Sequence, residues 1–299
     1  MQMSQQKHLI ITVNYNNTNF TNSLILTAFG SSQLANIEIH VIVVDNSRSF
    51  QLLPILSSAE NIWRIHVLTP NFNIGYFNGI NYALKKLPIP VRQYESVTIC
   101  NNDILFTPEY FHLLNEYLPT ISKNPVISPQ ILSSSGRLEN PHVLTPLGFK
   151  RELIYSILYS SFPAYQLLTL ISAFFDRPFK RFSNTHNKQY TNPIHIYQGY
   201  GAAYILTRKF FEYFSSIDYP AFLYFEEFFL SEQIAKHGFL PLFIPNLLLL
   251  HMGGASTARM QKRISFRIQK TSFDYYRRLV SLLPNKSKSL AIRLFTGKA

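Results

Sequence analysis

Apolar runs of strand length alternate with helix-like segments through the first hundred residues, and this alternation restricts the possible folds more than any other feature. The strand-like runs cover residues 8–13, 37–44, 65–68 and 97–100. One helix-like segment covers 20–29, where Gly30 is the predicted stop, and another opens from the loop at 71–81 and runs to about residue 87. Because strands that alternate with helices form βαβ units, we expect an α/β fold with a doubly wound, mainly parallel sheet.

The composition is typical of a folded protein. Hydrophobic residues make up 46% of the 299 residues, which is enough for a sizeable core. The one cysteine, Cys100, cannot form an internal disulfide and suits a reducing compartment. The first seven residues are polar and lead directly into a strand, so we expect no signal peptide.

Amide and carboxylate side chains follow three of the predicted strands. Asn14 and Tyr15 follow the first, Asp45 follows the second, and Asn101, Asn102 and Asp103 follow the strand at 97–100. Ligands of open α/β sheets lie beyond the carboxyl ends of the strands, and a carboxylate there can hold a divalent cation against a phosphate. Ordinary turns are the alternative, because Asn and Asp favour turns.

The second half of the chain carries further polar groups in apolar surroundings. Residues 198–207 are glycine-led and strand-like, and residues 247–250 run into His251. Glu226 and Glu227 lie side by side within an aromatic stretch, where each must be exposed in a cleft or partnered. Desolvation raises the proton affinity of such a carboxylate and makes it a better general base. The sequence contains no dinucleotide fingerprint, P-loop or zinc-type Cys/His spacing.

Residues 153–175 contain no charged side chain. The stretch is long enough to span a bilayer, but Pro163 lies near its middle beside Ser160 and Ser161. Two short helices are therefore predicted, either packed on the core or lying at a membrane interface.

Positive charge is concentrated at the C-terminal end. Residues 259–299 contain eleven Lys or Arg and one acid, whereas the whole chain has a net charge of +12. Cations recur at helical spacing from Arg259 to Lys270, and Ile264, Phe266 and Ile268 are predicted to add apolar contact. This asymmetry indicates an anionic partner, either nucleic acid or an acidic lipid surface. No recognised nucleic-acid motif is present, so a membrane surface is favoured.

The order of these motifs resembles family 2 glycosyltransferases, nearest their bacterial rhamnosyltransferase-like branch, which builds surface polysaccharides. The resemblance covers about residues 8–257. It implies a GT-A-like fold: a mixed, mainly parallel sheet flanked by helices, with a helical insertion and a basic helical C-terminal tail. The expected divisions are a domain over 1–258, with a nucleotide-sugar half at 8–130, an insertion at 150–182 and an acceptor half at 195–258, and the tail at 259–299.

The resemblance also implies a role for individual residues. Glu227 matches the catalytic base, while Asp103 and His251 match metal-site positions for Mg²⁺ or Mn²⁺. The residues expected to bind the nucleotide-sugar are Asn14, Tyr15, Asp45, Asn73, Gly75, Asn78 and Asn102. Those expected on the acceptor side are Gly199, Tyr200, Gly201, Asp218 and Glu226.

Three positions depart from the family pattern. Asn101 stands where many members carry an acid, which reduces the charge available to a metal. Glu227 replaces an Asp, so the base is one methylene longer, and a small misplacement is costly in catalysis. Ile80 replaces an arginine common near the Asn73 loop, so another cation or the metal alone must meet the diphosphate.

The expected function is therefore inverting transfer of a sugar from an NDP-sugar, of the dTDP-rhamnose or UDP-hexose type, to a hydroxyl of a lipid-linked glycan in O-antigen or capsule synthesis. Such a protein would lie on the inner face of the bacterial cytoplasmic membrane. The alternatives are an inactive scaffold with the same fold, which the departures suggest, and a basic nucleic-acid-binding protein.

Overall fold

A computed structural model of the chain describes residues 6–144, 149–174, 190–253 and 260–282. Nine strands in these ranges form one sheet. They are β1 Lys7–Asn14, β2 Glu38–Asp45, β3 Ile65–Leu68, β4 Ser96–Asn101, β5 Ile104–Phe106, β6 Val126–Ser133, β7 Ile194–His195, β8 Ala203–Thr207 and β9 Leu242–His251. Their order across the sheet is β3-β2-β1-β4-β8-β6-β9-β5, and β7 pairs with β9.

The first four strands are parallel, as the alternating pattern predicts. β1 pairs with both β2 and β4, and the register places Asn14 beside Asp45 and Val13 beside Asn101. β8 runs antiparallel to β4 and β6, whereas β6 and β9 are parallel to each other. The predicted fold class is confirmed: a mixed, mainly parallel sheet with helices on both faces, consistent with a GT-A-like fold. Its register brings three polar strand ends to one edge.

Nine α-helices accompany the sheet in the described residues. They are α1 Thr18–Leu34, α2 Ala59–Ile62, α3 Tyr76–Leu84, α4 Tyr110–Ile121, α5 Phe149–Leu158, α6 Phe162–Phe174, α7 Arg208–Tyr213, α8 Glu226–Ala235 and α9 Lys262–Leu282. The prediction that Gly30 ends the first helix is wrong, because α1 continues through it to Leu34. Ser31 and Ser32 beyond it are buried, and this packing outweighs the modest helix penalty of one glycine, about 1 kcal/mol.

Each face of the sheet has its own hydrophobic cluster. The first is formed with α1 and α4 and includes Leu24, Phe111 and Leu114. The second lies on the other face and gathers side chains from α3, α7 and α8. The candidate site lies at the edge formed by the ends of β1, β2 and β4.

Helix α9 belongs to the second cluster. Phe266, Phe273 and Tyr276 form its buried stripe, so the expectation that Phe266 adds an exposed apolar contact is wrong. Gln269 bonds the hydroxyls of Tyr159 and Tyr165, which ties α9 to the helical hairpin. The basic tail is therefore packed on the domain over 262–282. Arg259 and residues 283–299 lie outside the described residues.

The uncharged stretch forms two helices, as predicted. α5 ends at Leu158 and α6 begins at Phe162, so the break falls at Ser160 and Ser161 and Pro163 lies in the first turn of α6. Both helices place side chains in the second cluster. None of the helices in the described part of the chain combines the length and the hydropathy that crossing a bilayer requires. Of the predicted insertion at 150–182, residues 175–182 lie outside the described ranges.

Candidate active site

A cavity of about 300 Å³ lies where β1, β2 and β4 end. Its walls come from these strand ends, from the loop before α3 and from the end of β9. The lining residues are Val13, Tyr15, Asn46, Asn73, Gly75, Tyr76, Asn101, Asn102, Asp103, Tyr200, Leu223, His251 and Gly253. The parallel pairing explains why these residues converge, because strand ends that are far apart in sequence become neighbours in the sheet. We refer to it as the donor-side cavity.

The strand ends are tied together by side-chain hydrogen bonds. Asn14 donates to Asp45 over 2.8 Å, and Asn102 donates to Thr21 over 3.0 Å and to the Asn14 side chain over 3.4 Å. Thr21 in turn donates to Asn14 over 2.9 Å. The amide groups of Asn14 and Asn102 are thus directed into the protein, where they fix the floor of the cavity.

Asp45 is almost fully buried and holds the turn that follows β2. It accepts hydrogen bonds from the Ser47 hydroxyl at 2.6 Å and from the backbone N–H of Phe50 at 2.8 Å. Burial alone would raise the pKa of Asp45, but the bonds from Ser47, Phe50 and Asn14 outweigh it and lower that pKa below its usual value. Asn46, the next residue, lines the cavity in its place. Direct contact of Asp45 with a nucleotide stays a prediction.

The loop before α3 approaches the cavity through its backbone. Asn46 donates to the carbonyl of Gly75 over 3.1 Å, and Asn73 accepts from the Gly75 N–H over 3.0 Å. Gly75 has φ +83°, and a side chain there would overlap the backbone carbonyl of Phe222. Only glycine fits this conformation and this close approach.

Asp103 and His251 meet at the rim of the donor-side cavity, as the sequence predicts. The Asp103 Oδ1 and His251 Nε2 atoms are 3.3 Å apart, and both side chains are largely buried. β5 and β9 bring them together, since Ile104 pairs with His251. Neighbouring ligands of an octahedral Mg²⁺ are about 3 Å apart, so this pair fits two adjacent positions.

Few protein side chains are available here to bind a metal ion. In the described ranges, no cluster of three or more His, Cys, Asp or Glu side chains is placed to hold a cation. Mg²⁺ commonly takes one or two protein ligands and completes its shell with water and phosphate oxygen. The pair therefore fits a cation that binds together with a diphosphate better than one held by protein alone.

A second cavity, of about 320 Å³, adjoins the first, and we refer to it as the acceptor-side cavity. The two share four lining residues: Tyr76, Asn101, Tyr200 and Leu223. The remaining lining residues of the second are Gly201, Ala202, Tyr224, Glu226 and Glu227. The two glutamates begin α8, so the predicted base lies across the shared wall from the predicted metal pair.

The glutamate pair is unusually basic. Burial, followed by the nearby charge of Glu227, raises the pKa of Glu226 to about 8. Burial also raises the pKa of Glu227. The backbone N–H of Gly201 donates to the Glu227 carboxylate and partly offsets this rise. Backbone N–H groups at the start of α8 partly offset the cost of burying two acids in one apolar site. Burial of both carboxyl groups favours a pair that holds a proton over a pair that carries two charges.

The turn before α8 has a strained backbone. Tyr224 and Phe225 have φ of 71° and 66°, in the left-handed region that bulky residues rarely adopt and that costs about 1–3 kcal/mol per residue. α9 supports this turn, since Ser272 donates to the Leu223 carbonyl over 2.6 Å and Ser265 bonds the Tyr224 hydroxyl over 3.0 Å. Strain held in this way is typical of functional sites.

Gly201 packs directly on the predicted base. A methyl group at this position would overlap the Glu227 carboxylate and lie 2.7 Å from its Cδ atom. We expect Gly201→Ala to displace Glu227 and slow turnover by roughly a hundredfold, because an error of about 1 Å in placing a catalytic group can cost that much. Initial rates and thermal unfolding of the purified variant measure both effects.

The matched control for Gly201→Ala is Gly30→Ala. An added methyl group at Gly30 would meet no atom within 4 Å, so this change within α1 should leave the rate unchanged and raise stability by up to about 1 kcal/mol. The role of Gly201 is wrong if its variant loses activity only in proportion to lost folding.

Besides Asn14 and Asp45, three more predicted site residues line neither cavity. Asn78 donates to the Ala221 carbonyl over 2.7 Å and connects α3 to the turn before α8. Asp218 is exposed, and its backbone N–H bonds Gln233. Gly199 is buried against Ser128 and Tyr204, where a side chain would not fit. These contacts give all three a structural role, and ligand contact by them stays a prediction.

Asn46, Tyr76, Asn101 and Leu223 line the site but were absent from the predicted ligand-binding set. Asn46, Tyr76 and Asn101 each adjoin a predicted site residue in sequence, and Leu223 lies three residues before Glu226. Their positions next to or near predicted site residues could therefore have identified them. Ile80 is fully buried, and in the described part of the donor-side cavity no lining residue is Lys or Arg.

Comparison with known proteins gives only distant structural likeness. No family model matches the chain, and no curated protein matches it in sequence. Solved structures of S. aureus TarS match the chain distantly: TarS 1–349 at 13% identity and a TM-score of 0.47, and TarS at 12% and 0.48, each over 83% of this chain. TarS 1–349 in complex with UDP-GlcNAc matches 51% of this chain at 19% identity and a TM-score of 0.37.

The chain spans 60% of the length of TarS 1–349 and 37% of the length of TarS. Identities and scores of this size are too low to bear on activity.

Proposed function

We propose that this protein is a nucleotide-sugar-dependent glycosyltransferase that inverts configuration at the transferred sugar. The observation that carries the proposal is the pair of adjoining cavities, with Asp103 and His251 on one side of the shared wall and Glu227 on the other. Displacement of a nucleotide diphosphate from a sugar carbon needs charge neutralisation at the leaving group and a base on the opposite face. The two cavities offer these two functions in adjacent positions.

On the donor side, Asp103 and His251 would hold a divalent cation together with the diphosphate. When bound, the cation supplies Lewis-acid stabilisation of the departing diphosphate. The loop at Asn73 and Gly75 lets the backbone approach the nucleotide, since Gly75 has no side chain to obstruct it.

On the acceptor side, Glu227 would take the proton from the attacking hydroxyl. Its raised pKa makes it a stronger base than an exposed carboxylate, and the proton on Glu226 keeps the pair from carrying two charges. As the oxygen attacks the anomeric carbon, the new glycosidic bond forms and the bond to the diphosphate breaks. One displacement from the opposite face inverts the anomeric centre.

Further specificity is also part of the proposal. We assign the donor to the dTDP-rhamnose or UDP-hexose type and the acceptor to a hydroxyl of a lipid-linked glycan in surface-polysaccharide synthesis. An acceptor of this kind places the reaction at the inner face of a bacterial cytoplasmic membrane. The basic C-terminal segment supports that location, because an acidic leaflet attracts clustered cations.

Ligand-induced stabilisation tests the proposal. Thermal unfolding with UDP, dTDP, GDP and UDP-GlcNAc, each with and without Mn²⁺, should show a rise in Tm of about 5 °C for the cognate nucleotide at a hundredfold excess over its Kd. The rise should depend on the metal. Stabilisation by no nucleotide would contradict the proposal, and stabilisation without sugar transfer would identify an inactive scaffold.

A further inference from the structure

Helices α5 and α6 present an apolar surface to solvent. Leu153 and Ile157 are 49% and 51% exposed on α5, and Leu167 and Leu170 are 60% and 55% exposed on α6. No charged residue occurs from 153 to 175. A helix face that meets water normally carries charged and polar residues, so this surface is built for contact with something apolar.

The exposed residues on α6 lie opposite its packed face. Phe162, Tyr165 and Leu168 pack into the second core cluster, at a spacing of three residues. Leu167 and Leu170 lie on the other side of the helix at the same spacing. The exposed stripe is therefore not needed to hold α6 against the domain.

Exposed cations at the start of α9 lie near the N-terminal end of α6. The Arg263 guanidinium lies 6.0 Å from the ring centroid of Phe162, the first residue of α6. Lys262 and Arg267 are exposed on the same part of α9, while Phe266 between them is directed into the core. Ile264, at 46% exposed, adds an apolar group among these charges.

We propose that the outer face of α5 and α6, with the exposed cations at the start of α9, docks on an anionic lipid surface. The aliphatic side chains would enter the boundary between headgroups and acyl chains, and Arg263 and Arg267 would meet lipid phosphates. Charge complementarity favours lipid, since an uncharged apolar face with exposed cations near one end combines the two features that bind an acidic leaflet. The inference rests on the proposed function only in the lipid-linked nature of the acceptor.

Sedimentation with vesicles of known composition tests this docking surface. The full-length protein should sediment with phosphatidylglycerol vesicles at low ionic strength, be released by high salt, and bind phosphatidylcholine vesicles weakly. The double variant L167E/L170E should bind at least about tenfold more weakly. R263Q/R267Q should lose roughly tenfold and show a shallower salt dependence.

The matched control is L34E/I55E, which makes the same change in charge at two leucine or isoleucine side chains that are 75% and 70% exposed elsewhere. It should bind vesicles as the unmodified protein does. Equal losses in L167E/L170E and in the control L34E/I55E, or undiminished binding by L167E/L170E, would overturn the proposal. A dimer in lipid-free solution that L167E/L170E dissociates would assign the face to a second copy and also overturn it.

Nucleotide-induced stabilisation of the same variants separates this inference from the proposed function. Neither L167E/L170E nor R263Q/R267Q alters a residue of the two cavities, so the rise in Tm with nucleotide should be unchanged. Lost vesicle binding with normal nucleotide binding supports the docking surface whatever the reaction is. Normal vesicle binding without nucleotide binding would contradict the function alone.

Discussion

Glu227→Gln should reduce kcat by roughly a hundredfold or more while leaving donor binding in place. Glutamine keeps the size and most of the packing of Glu227 but cannot accept the proton of the attacking hydroxyl, and a lost general base typically costs 10²- to 10⁴-fold. Steady-state rates and calorimetry with the nucleotide distinguish the two effects. Unchanged turnover would remove Glu227 from the chemistry.

Glu226→Gln is the matched comparison, and it should remain active. Glu226 has a pKa of about 8 and is therefore mostly protonated at neutral pH, so a neutral amide resembles its resting form. Because the substitution replaces one neutral group by another, the rise of kcat with pH should stay close to that of the unmodified protein. An inactive Glu226→Gln beside an active Glu227→Gln would reverse the two roles.

Stability should depend on pH through the same pair. The pKa of Glu226 is raised in the folded state, from 4.5 to about 8, so the unfolded chain releases this proton at lower pH than the folded one. Its contribution to stability is therefore lost progressively as pH rises from about 4.5 to 8. The Tm of Glu226→Gln should fall less over this interval than that of the unmodified protein.

Asp103→Ala should remove metal-dependent nucleotide binding and lower transfer by roughly a thousandfold. A cation that neutralises a departing diphosphate is worth several kcal/mol, and each 1.4 kcal/mol is about tenfold in rate. The fold should persist, because the main-chain carbonyl of Asp103, which accepts from Met252, is retained. Calorimetry with the nucleotide in Mn²⁺ measures the loss.

Asp218→Ala provides the control for Asp103, since it removes an exposed carboxylate that lines neither cavity. It should leave nucleotide affinity and its metal dependence unchanged. Undiminished affinity of Asp103→Ala in Mn²⁺ would return Asp103 to the role of a turn residue.

Local sequence patterns predicted the first four strands of the fold well. Apolar runs that end in Asn or Asp located β1, β2 and β4, and alternation with helices located β3, because both are local signals. The convergence of Asn14, Asp103 and the Gly75 loop followed from the parallel arrangement. The prediction of two helices at the uncharged stretch also followed locally, from Pro163 and its neighbouring serines.

Features that depend on long-range packing were not predicted. Residues 198–202 form a loop rather than the first half of a strand, since Tyr200 bonds Asn140 and Gly199 packs on Ser128. The left-handed conformations of Tyr224 and Phe225 have no local signal, because Gly or Asn would be expected there. The many charged residues of α9 suggested an exposed helix. Its buried stripe, and the support that α9 gives to this turn, could not be inferred from residue spacing.

Because α9 supports the site, the site is complete only after α9 has been synthesised. The polar ends of β1, β2 and β4 are translated early, whereas Ser265 and Ser272, which hold the turn before Glu226, are translated after all of β9. Domains form progressively as the chain leaves the ribosome. A nascent chain whose α9 is still inside the ribosome therefore lacks the support of the turn at Leu223 and Tyr224, so the wall that Leu223 contributes to both cavities is completed last.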